Sequence, residues 1–431
     1  MAGALALVVE QSMTAEKDAR ATTSASAGAF DVAFDVAILG AGPAGSCAAI
    51  AAARTGARVL LIDRAQFPRD KVCGCCLAPA GVETLRAIDA GHVLDGAIDL
   101  RSVRLACATR ELTLRRNAGV AIGRDALDSR LIDEARRCGV DVRLGTPGRV
   151  LGRDVGRDVG RDVGRDVGRD VGRDVGRDVG RNMGRNMGRD VVEIARGDER
   201  ICARVAIAAD GLSGTSLDGN ADFTWRIARK SRIGFGATIA AGAIACGEGE
   251  ILMRVARGGY IGAVELPSGA IDVAAAIDPA RLRQFASVAD CARDWLGARV
   301  LNTSAITNAR WKGTPLLTRR RACVAADGIL VAGDAAGYIE PFTGEGMSWA
   351  IATGAAAGVV AAQIARGEAS WTMWPALYAS IVGRSRTRCR VIALLLRSPL
   401  LVRALISIGN RAPEPFEAFS ASIGRRLEAS L

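Results

Sequence analysis

One stretch, Asp35 to Asp63, constrains this chain more than any other: DVAILGAGPAGSCAAIAAARTGARVLLID. It reads as strand, glycine turn, helix, strand and acid. Val36 to Leu39 is a short apolar run of the kind that fills a parallel strand buried on both faces. Gly40, Gly42 and Gly45 follow with GxGxxG spacing, and each has a use: Gly40 turns the chain, Gly42 lets backbone approach a pyrophosphate, and Gly45 brings the helix close. The alanine-rich helix from Ala44 to Ala53 would aim its unpaired N–H groups and positive dipole end at that pyrophosphate. Gly56 ends it, Val59 to Ile62 is the second strand, and Asp63 stands about 20 residues past the turn, where a carboxylate accepts from a ribose hydroxyl. A lone glycine triplet is weak evidence; with the strand, helix and acid in place, the stretch is a dinucleotide-binding unit.

The 431 residues can bury a large core and suggest two domains or subdomains. Arginine supplies nearly all of a +11 net charge, which suits anionic ligands or acidic lipid surfaces. Aromatics are only 4% and no basic, aromatic-interleaved stretch occurs, so nucleic acid is not expected as a partner. Eleven irregularly spaced cysteines and an opening MAGALALVVE without a basic flank point to a reducing, cytoplasmic compartment. A single histidine, His92, excludes an imidazole metal cluster or a Ser-His-Asp triad. Cys73, Cys75 and Cys76 offer no zinc spacing, so no metal is expected.

Downstream, residues 98 to 116 alternate like a strand pair turning near Arg110, and Leu127, Leu131, Ile132 and Ala135 share one helical face stopped by Gly139. From Gly152 to Val191 the chain is a tetrapeptide array: GRDV seven times, GRNM twice, then GRDV again. Glycine every fourth residue opposes helix, and a period of four fits neither strand nor helix, so the array reads as a disordered expansion at a hairpin tip. Arg204 to Ala209 is another buried strand, ending in Asp210-Gly211. Strands follow at Ile251 to Val255, Tyr260 to Leu266 and Ile271 to Ile277. Ile329 to Gly358 runs strand, turn, glycine-rich loop and small-residue helix. Pro375 to Arg411 is expected to be helical, with seven arginines, no acid, and a leucine face that either packs on the substrate domain or docks on anionic lipid.

With the turns at Gly40, Asp210-Gly211 and Gly333-Asp334 in this order, the sequence resembles the FAD-dependent oxidoreductases built like p-hydroxybenzoate hydroxylase, and more closely their geranylgeranyl reductase branch. The resemblance spans Asp31 to about Leu377 outside the array. It implies that Gly40, Gly42, Pro43, Ala44, Gly45, Asp63 and Arg64 hold the pyrophosphate and adenosine ribose of FAD. Arg124 would lie near the phosphates, a role its planar fork suits. Asp210, Gly333 and Asp334 would line the ribityl side. Pro341 and the Gly344, Glu345, Gly346, Met347 segment would present backbone N–H groups to the flavin edge that gathers charge on reduction. Lys71, Cys73 and Gly74 resemble the Pro-x-x-Lys-x-Cys-Gly loop beside the flavin in that branch.

The chain also departs from these relatives. The aromatic-rich YxWxFP segment is matched at best by Gly259 to Pro267, no WxWxIP halogenase segment occurs, and Asp334 is followed by no histidine. No second GxGxxG exists for NAD(P)H, so NAD(P)H visits the flavin transiently or another protein supplies electrons. The expected architecture is α/β: a Rossmann-like FAD-binding domain (31–92, 118–216, 313–370) interleaved with a mixed-sheet substrate domain (93–117, 217–312). A flexible extension (1–30) precedes it and a helical C-terminal tail (371–431) follows, with 152–191 as the insertion. The expected activity is hydride transfer to a C=C bond of a small apolar, prenyl-like or lipid-like substrate, with Cys73 as the thiol that delivers the proton. Alternatives are an aromatic or polyketide monooxygenase and a flavoprotein that modifies a partner protein. Tyr260 and Glu265 read as ordinary sheet positions first and as walls of the substrate cavity second, and the tail adds a possible peripheral membrane contact. The sequence leaves the oligomeric state open.

Overall fold

The computed structural model describes residues 32–154, 191–340, 342 and 344–422. Five strands form its central parallel sheet: β1 (Phe34–Leu39) pairs with β2 (Val59–Asp63) and with the later Glu199–Ala208, while β2 pairs with Asp141–Leu144 and Glu199–Ala208 with Ile329–Val331. Val36–Leu39, Val59–Ile62 and Ile329–Val331 at its centre are apolar on both faces because helices cover both sides. Helix α1 (Pro43–Ala53) is buried nearly all round, as a helix without a polar face must be. Pro43 opens it at a position where a missing N–H costs nothing.

Behind α1 lies α2 (Pro79–Ala87), then the long hairpin β3 (Ile98–Cys107) and β4 (Arg110–Ala121), then α3 (Arg124–Arg137), halted at Gly139 with φ +82°. The hairpin belongs to a second, eight-stranded sheet. After β5 (Asp141–Leu144), strands β6 (Gly148–Asp154) and β7 (Val191–Arg196) pair antiparallel, and β8 (Glu199–Ala208) returns to the centre. The expected hairpin stem is therefore present. Residues 155–190 and 1–30 lie outside the described residues.

The second sheet continues with β9 (Ile233–Ile239), β10 (Glu250–Ala256), β11 (Gly259–Glu265), β12 (Ile271–Ile277) and β13 (Lys312–Leu316). It is antiparallel except where β10 meets β3 in parallel. Strand β4 runs to Ala121 and β13 to Leu316, so this sheet extends past the boundaries expected at 117 and 312. Helix α4 (Val288–Leu296) covers its far face, capped by Ser287, whose Oγ accepts from Asp290 N at 3.0 Å.

After β14 (Ile329–Val331) comes α5 (Gly346–Arg366), which crosses α1 at unusually close range. A Cβ on Gly354 would sit 2.0 Å from the Ala44 carbonyl oxygen, and one on Gly358 would sit 2.1 Å from that of Ala48. Only glycine permits this approach. Helix α5 is long and apolar enough to span a bilayer, but 83% of that window is buried in the core.

The tail is helical, as expected. It divides into α6 (Trp374–Leu395), α7 (Pro399–Arg411) and α8 (Pro413–Ser422), with a 106° bend between α6 and α7. Pro399 disfavours helical geometry at Ser398, whose Oγ then caps the next helix by accepting from Leu401 N at 3.4 Å.

Candidate functional site

The glycine turn is packed to its limit on one side and open on the other. Gly40, at φ +109°, would put a Cβ 2.5 Å from the Ala209 carbonyl oxygen, and Gly45 would put one 1.7 Å from that of Gly40. A Cβ on Gly42 would instead meet guanidinium nitrogens, 3.6 Å from Arg69 and 3.7 Å from Arg124. Asp63 ties the turn from below: its Oδ2 accepts from Ala41 N at 2.7 Å, and its Oδ1 from Ala65 N at 2.8 Å and Arg69 at 3.2 Å. Three of its roughly four acceptor positions are thus taken, leaving one for a hydroxyl.

Arg124 is clamped by Asp128, Nε to Oδ1 at 2.9 Å and Nη2 to Oδ2 at 2.8 Å. Burial opposes its charge, yet Asp128 and Cys73 outweigh that and keep it firmly protonated. Lys71 projects into the cleft beside Gly211, where a Cβ would approach its Nζ to 2.9 Å. Enclosure by protein, then Arg124, pushes its ammonium below the usual lysine range, while Asp334 pulls the other way. Arg69, Arg124 and Lys71 therefore converge at an open glycine turn, and the buried Arg69 Nε makes no hydrogen bond. That arrangement fits a pyrophosphate, with charge-assisted donors on one side and helix α1 on the other.

A cavity of about 970 Å³ starts at this turn and runs between the two sheets, at the upper end of the roughly 300–1,000 Å³ of small-molecule sites. Gly40, Asp63, Arg64, Lys71, Cys73, Gly74, Arg124, Asp210, Asp334, Gly344, Gly346 and Met347 all line it. Pro43, Ala44, Gly45 and Gly333 pack behind it, where Ala44 contacts Gly333 and Gly354. Glu345 turns away, its carboxylate accepting from Ser385 Oγ at 2.7 Å and Cys389 Sγ at 3.5 Å on α6. Pro341 lies outside the described residues. Burial pushes the Asp334 carboxyl above its ordinary value, against the pull of Lys71 and Arg124.

The sequence profile of the FAD dependent oxidoreductases matches residues 35–69, the unit that holds the turn. A flavoprotein/dehydrogenase from Cytophaga hutchinsonii superposes with a TM-score of 0.67 at 17% identity, covering 91% of this chain and 92% of that one. A geranylgeranyl bacteriochlorophyll reductase-like protein from Thermoplasma acidophilum gives 0.63 at 20%, covering 87% and 91%. A flavin-dependent brominase gives 0.69 at 17%, covering 91% and 93%. The chain shares the fold of these proteins, and its residues 35–69 match the FAD dependent oxidoreductase family. Among curated relatives, the menaquinone reductase of Mycobacterium tuberculosis is 40% identical over 121 residues, 27% of this chain, and the match spans 30% of that protein's length.

The far end of the cavity joins the thiol loop to the second sheet. The short strand Cys76–Leu77 pairs with Ala121 and Val120 of β4, and Cys75 is held in the left-handed region at φ +48°. Cys73 faces the cavity. The Cys75 thiol donates to it and Arg124 adds positive charge, so its pKa falls to about 6 although burial opposes this. Cys75 correspondingly moves far up. A sulfur with that value is mostly thiolate near neutrality. Asp272 of β12 stands nearby, and its carboxyl is raised well above normal by burial and then by the charge of Cys73. Its Oδ2 is buried without a hydrogen bond, and the residue lines the same cavity.

Beyond the thiols the cavity becomes apolar: Leu105, Leu112 and Leu114 of the hairpin, Met253 of β10, and Leu396, Val402 and Ile406 of the tail form its walls. Tyr260 lines it too, edge-on to Phe342 at 5.0 Å, so it is more than the ordinary sheet position expected; Glu265 is not among the lining residues. Arg232 and Glu340, paired at 2.6 Å and both buried, support this wall. Sequence reasoning missed Asp128, Arg69, Asp272 and this pair. Only Asp128 had a local signal, four residues after Arg124 on one helix face.

Proposed function

We propose that this flavoprotein reduces a carbon–carbon double bond of an apolar, prenyl-like or quinone-tail substrate, with NAD(P)H as the transient reductant of the flavin. The observation that carries the reading is the continuity of one cavity, polar and cationic at the glycine turn and apolar beyond Cys73. Bound FAD supplies hydride to one carbon of the double bond. The chain's own residues do the rest. Arg69, Lys71 and Arg124 neutralise the pyrophosphate, the hairpin and tail leucines exclude water, and Asp272 holds the proton that the second carbon takes up. Asp272 stands against Cys73 and Cys75, so proton transfer runs through side chains that face the acceptor. The names of the mycobacterial menaquinone reductase and of the Thermoplasma reductase-like protein support an isoprenoid-bearing substrate.

The test is anaerobic. Flavin-loaded protein is reduced with NADH, NADPH or dithionite and then mixed with a prenylated quinone or geranylgeranyl acceptor. Reoxidation by the acceptor, with a product two hydrogens heavier, is the expected result. Failure with every such acceptor, together with oxygen insertion into an aromatic ring in air, would replace this reading with a monooxygenase.

A further inference from the structure

The tail presents two apolar faces, and the fold satisfies only one. Inward, Leu396, Val402 and Ile406 are buried against the hairpin and close the cavity. Outward, at the corner where α6 turns into α7, Leu394 is 67% and Leu400 is 74% exposed, with Val391 and Leu401 exposed beside them. Val391 and Leu394 are three apart on α6, and Leu400 continues to Ala404 and Ile408 at helical spacing, so each helix carries an outward apolar stripe leading from the corner. Single exposed leucines are ordinary; a cluster at one corner is not.

The surroundings decide what covers it. Arg390 and Arg397 flank the corner and are exposed, Arg397 also donating to the Lys230 carbonyl at 2.6 Å and lying 3.9 Å from Asp278, and along the chain no acidic residue occurs between Glu368 and Glu414. Leu395 lines the cavity and is also 38% exposed, so it stands at the mouth. An apolar patch flanked by two arginines at the opening of an apolar chamber matches the boundary of an anionic bilayer, with leucines among acyl chains and guanidiniums at phosphates. We infer that the α6–α7 corner docks on an anionic lipid surface, setting the cavity mouth against the hydrocarbon so that an apolar ligand enters without crossing water. The docking surface needs no particular substrate and stands apart from the reaction proposed above.

The experiment is co-sedimentation of the flavin-loaded full chain with vesicles of phosphatidylcholine alone or mixed with phosphatidylglycerol. Binding to the mixed vesicles that weakens as salt is raised is expected. At about five-fold per surface charge, R390E/R397E is expected to lower the partition by at least about 25-fold. L394D/L400D is expected to abolish binding while flavin absorbance and melting temperature stay unchanged, as both side chains point outward. Absence of binding to the mixed vesicles at low salt would overturn the inference, as would L394D/L400D sedimenting like the parent. A concentration-dependent dimer that L394D/L400D dissociates would also overturn it, by assigning the corner to a second copy.

Discussion

Arg124 and Asp128, one turn apart on α3, share two parallel hydrogen bonds of 2.9 and 2.8 Å, with the Asp128 side chain wholly out of solvent. The pair aims a fixed positive charge at the glycine turn. Asp128→Asn leaves that buried charge with Cys73 as its remaining counter-charge, and breaking such a pair costs up to about 3–5 kcal/mol. A bound pyrophosphate restores part of the compensation. The variant is expected to melt well below the parent without FAD and to regain more than the parent does when FAD is added. Thermal melts across an FAD titration check this, and equal shifts in both proteins would remove Arg124 from the phosphate site.

Two glycines in long helices predict opposite outcomes from the same substitution. Gly354→Ala places a methyl 2.0 Å from the Ala44 carbonyl oxygen and must push α5 off α1. Overpacking of this kind costs about 1–3 kcal/mol or more, and here it displaces the turn that α1 follows. Gly383 in α6 has nothing within 4 Å of its would-be Cβ, so Gly383→Ala is expected to stabilise by about 0.5–1 kcal/mol. Melting curves that shift in the same direction for both variants would contradict the close crossing.

Cys73 should react as a thiolate. Its pKa is lowered to about 6, chiefly by the Cys75 hydrogen bond, so alkylation by iodoacetamide is expected to rise with pH through about 6 and level off above. A free thiol would still be climbing near its usual value of roughly 8.5. Cys75→Ala removes the donor to the thiolate and is expected to move the rise to higher pH. Single-turnover alkylation read by mass spectrometry measures both profiles.

Asp272→Asn keeps the shape of the side chain and removes its transferable proton. Losing a positioned acid typically costs about 10²–10⁴ in rate. Flavin reduction by dithionite is expected to stay at parental speed while reoxidation by a prenyl acceptor slows. Slowing of both half-reactions would make Asp272 a structural residue of β12.

Much of the nucleotide end was legible because its determinants are local. The three glycines, the helix and Asp63 sit within one short stretch, and hydrophobic period fixes which residues are strand and which helix. Arg124 and Lys71 were legible only through resemblance, since nothing in their neighbours announces a phosphate. Asp272 was not legible: it reads as one polar position on an alternating strand, and its raised pKa comes from burial and then from Cys73, which β12 meets from far along the chain. The tail leucines hid a division of labour for a similar reason: a single apolar stripe was apparent, but the bend at Ser398-Pro399 is what splits it into a wall and an outer face.

The tetrapeptide array supplies the last prediction. Its flanks are already paired to the very end: Asp154 stands opposite Val191, Arg153 opposite Val192 and Gly152 opposite Glu193. Strand β7 is in turn held by β8, where Val192 faces Ala203, so the pair is anchored to the central sheet. Replacing those residues with Asn-Gly supplies the two-residue turn that such a hairpin favours. Shortening a closed loop recovers about 0.6 kcal/mol per halving, so the deletion is expected to raise stability by roughly 2 kcal/mol. FAD affinity is expected to be unchanged, because the lining residues of the cavity near this hairpin, Pro147 and Gly148, lie at its opposite end. Equilibrium urea melts and a flavin-binding isotherm on the deletion variant decide the matter, and a loss of either stability or flavin would assign the array a role in holding the fold.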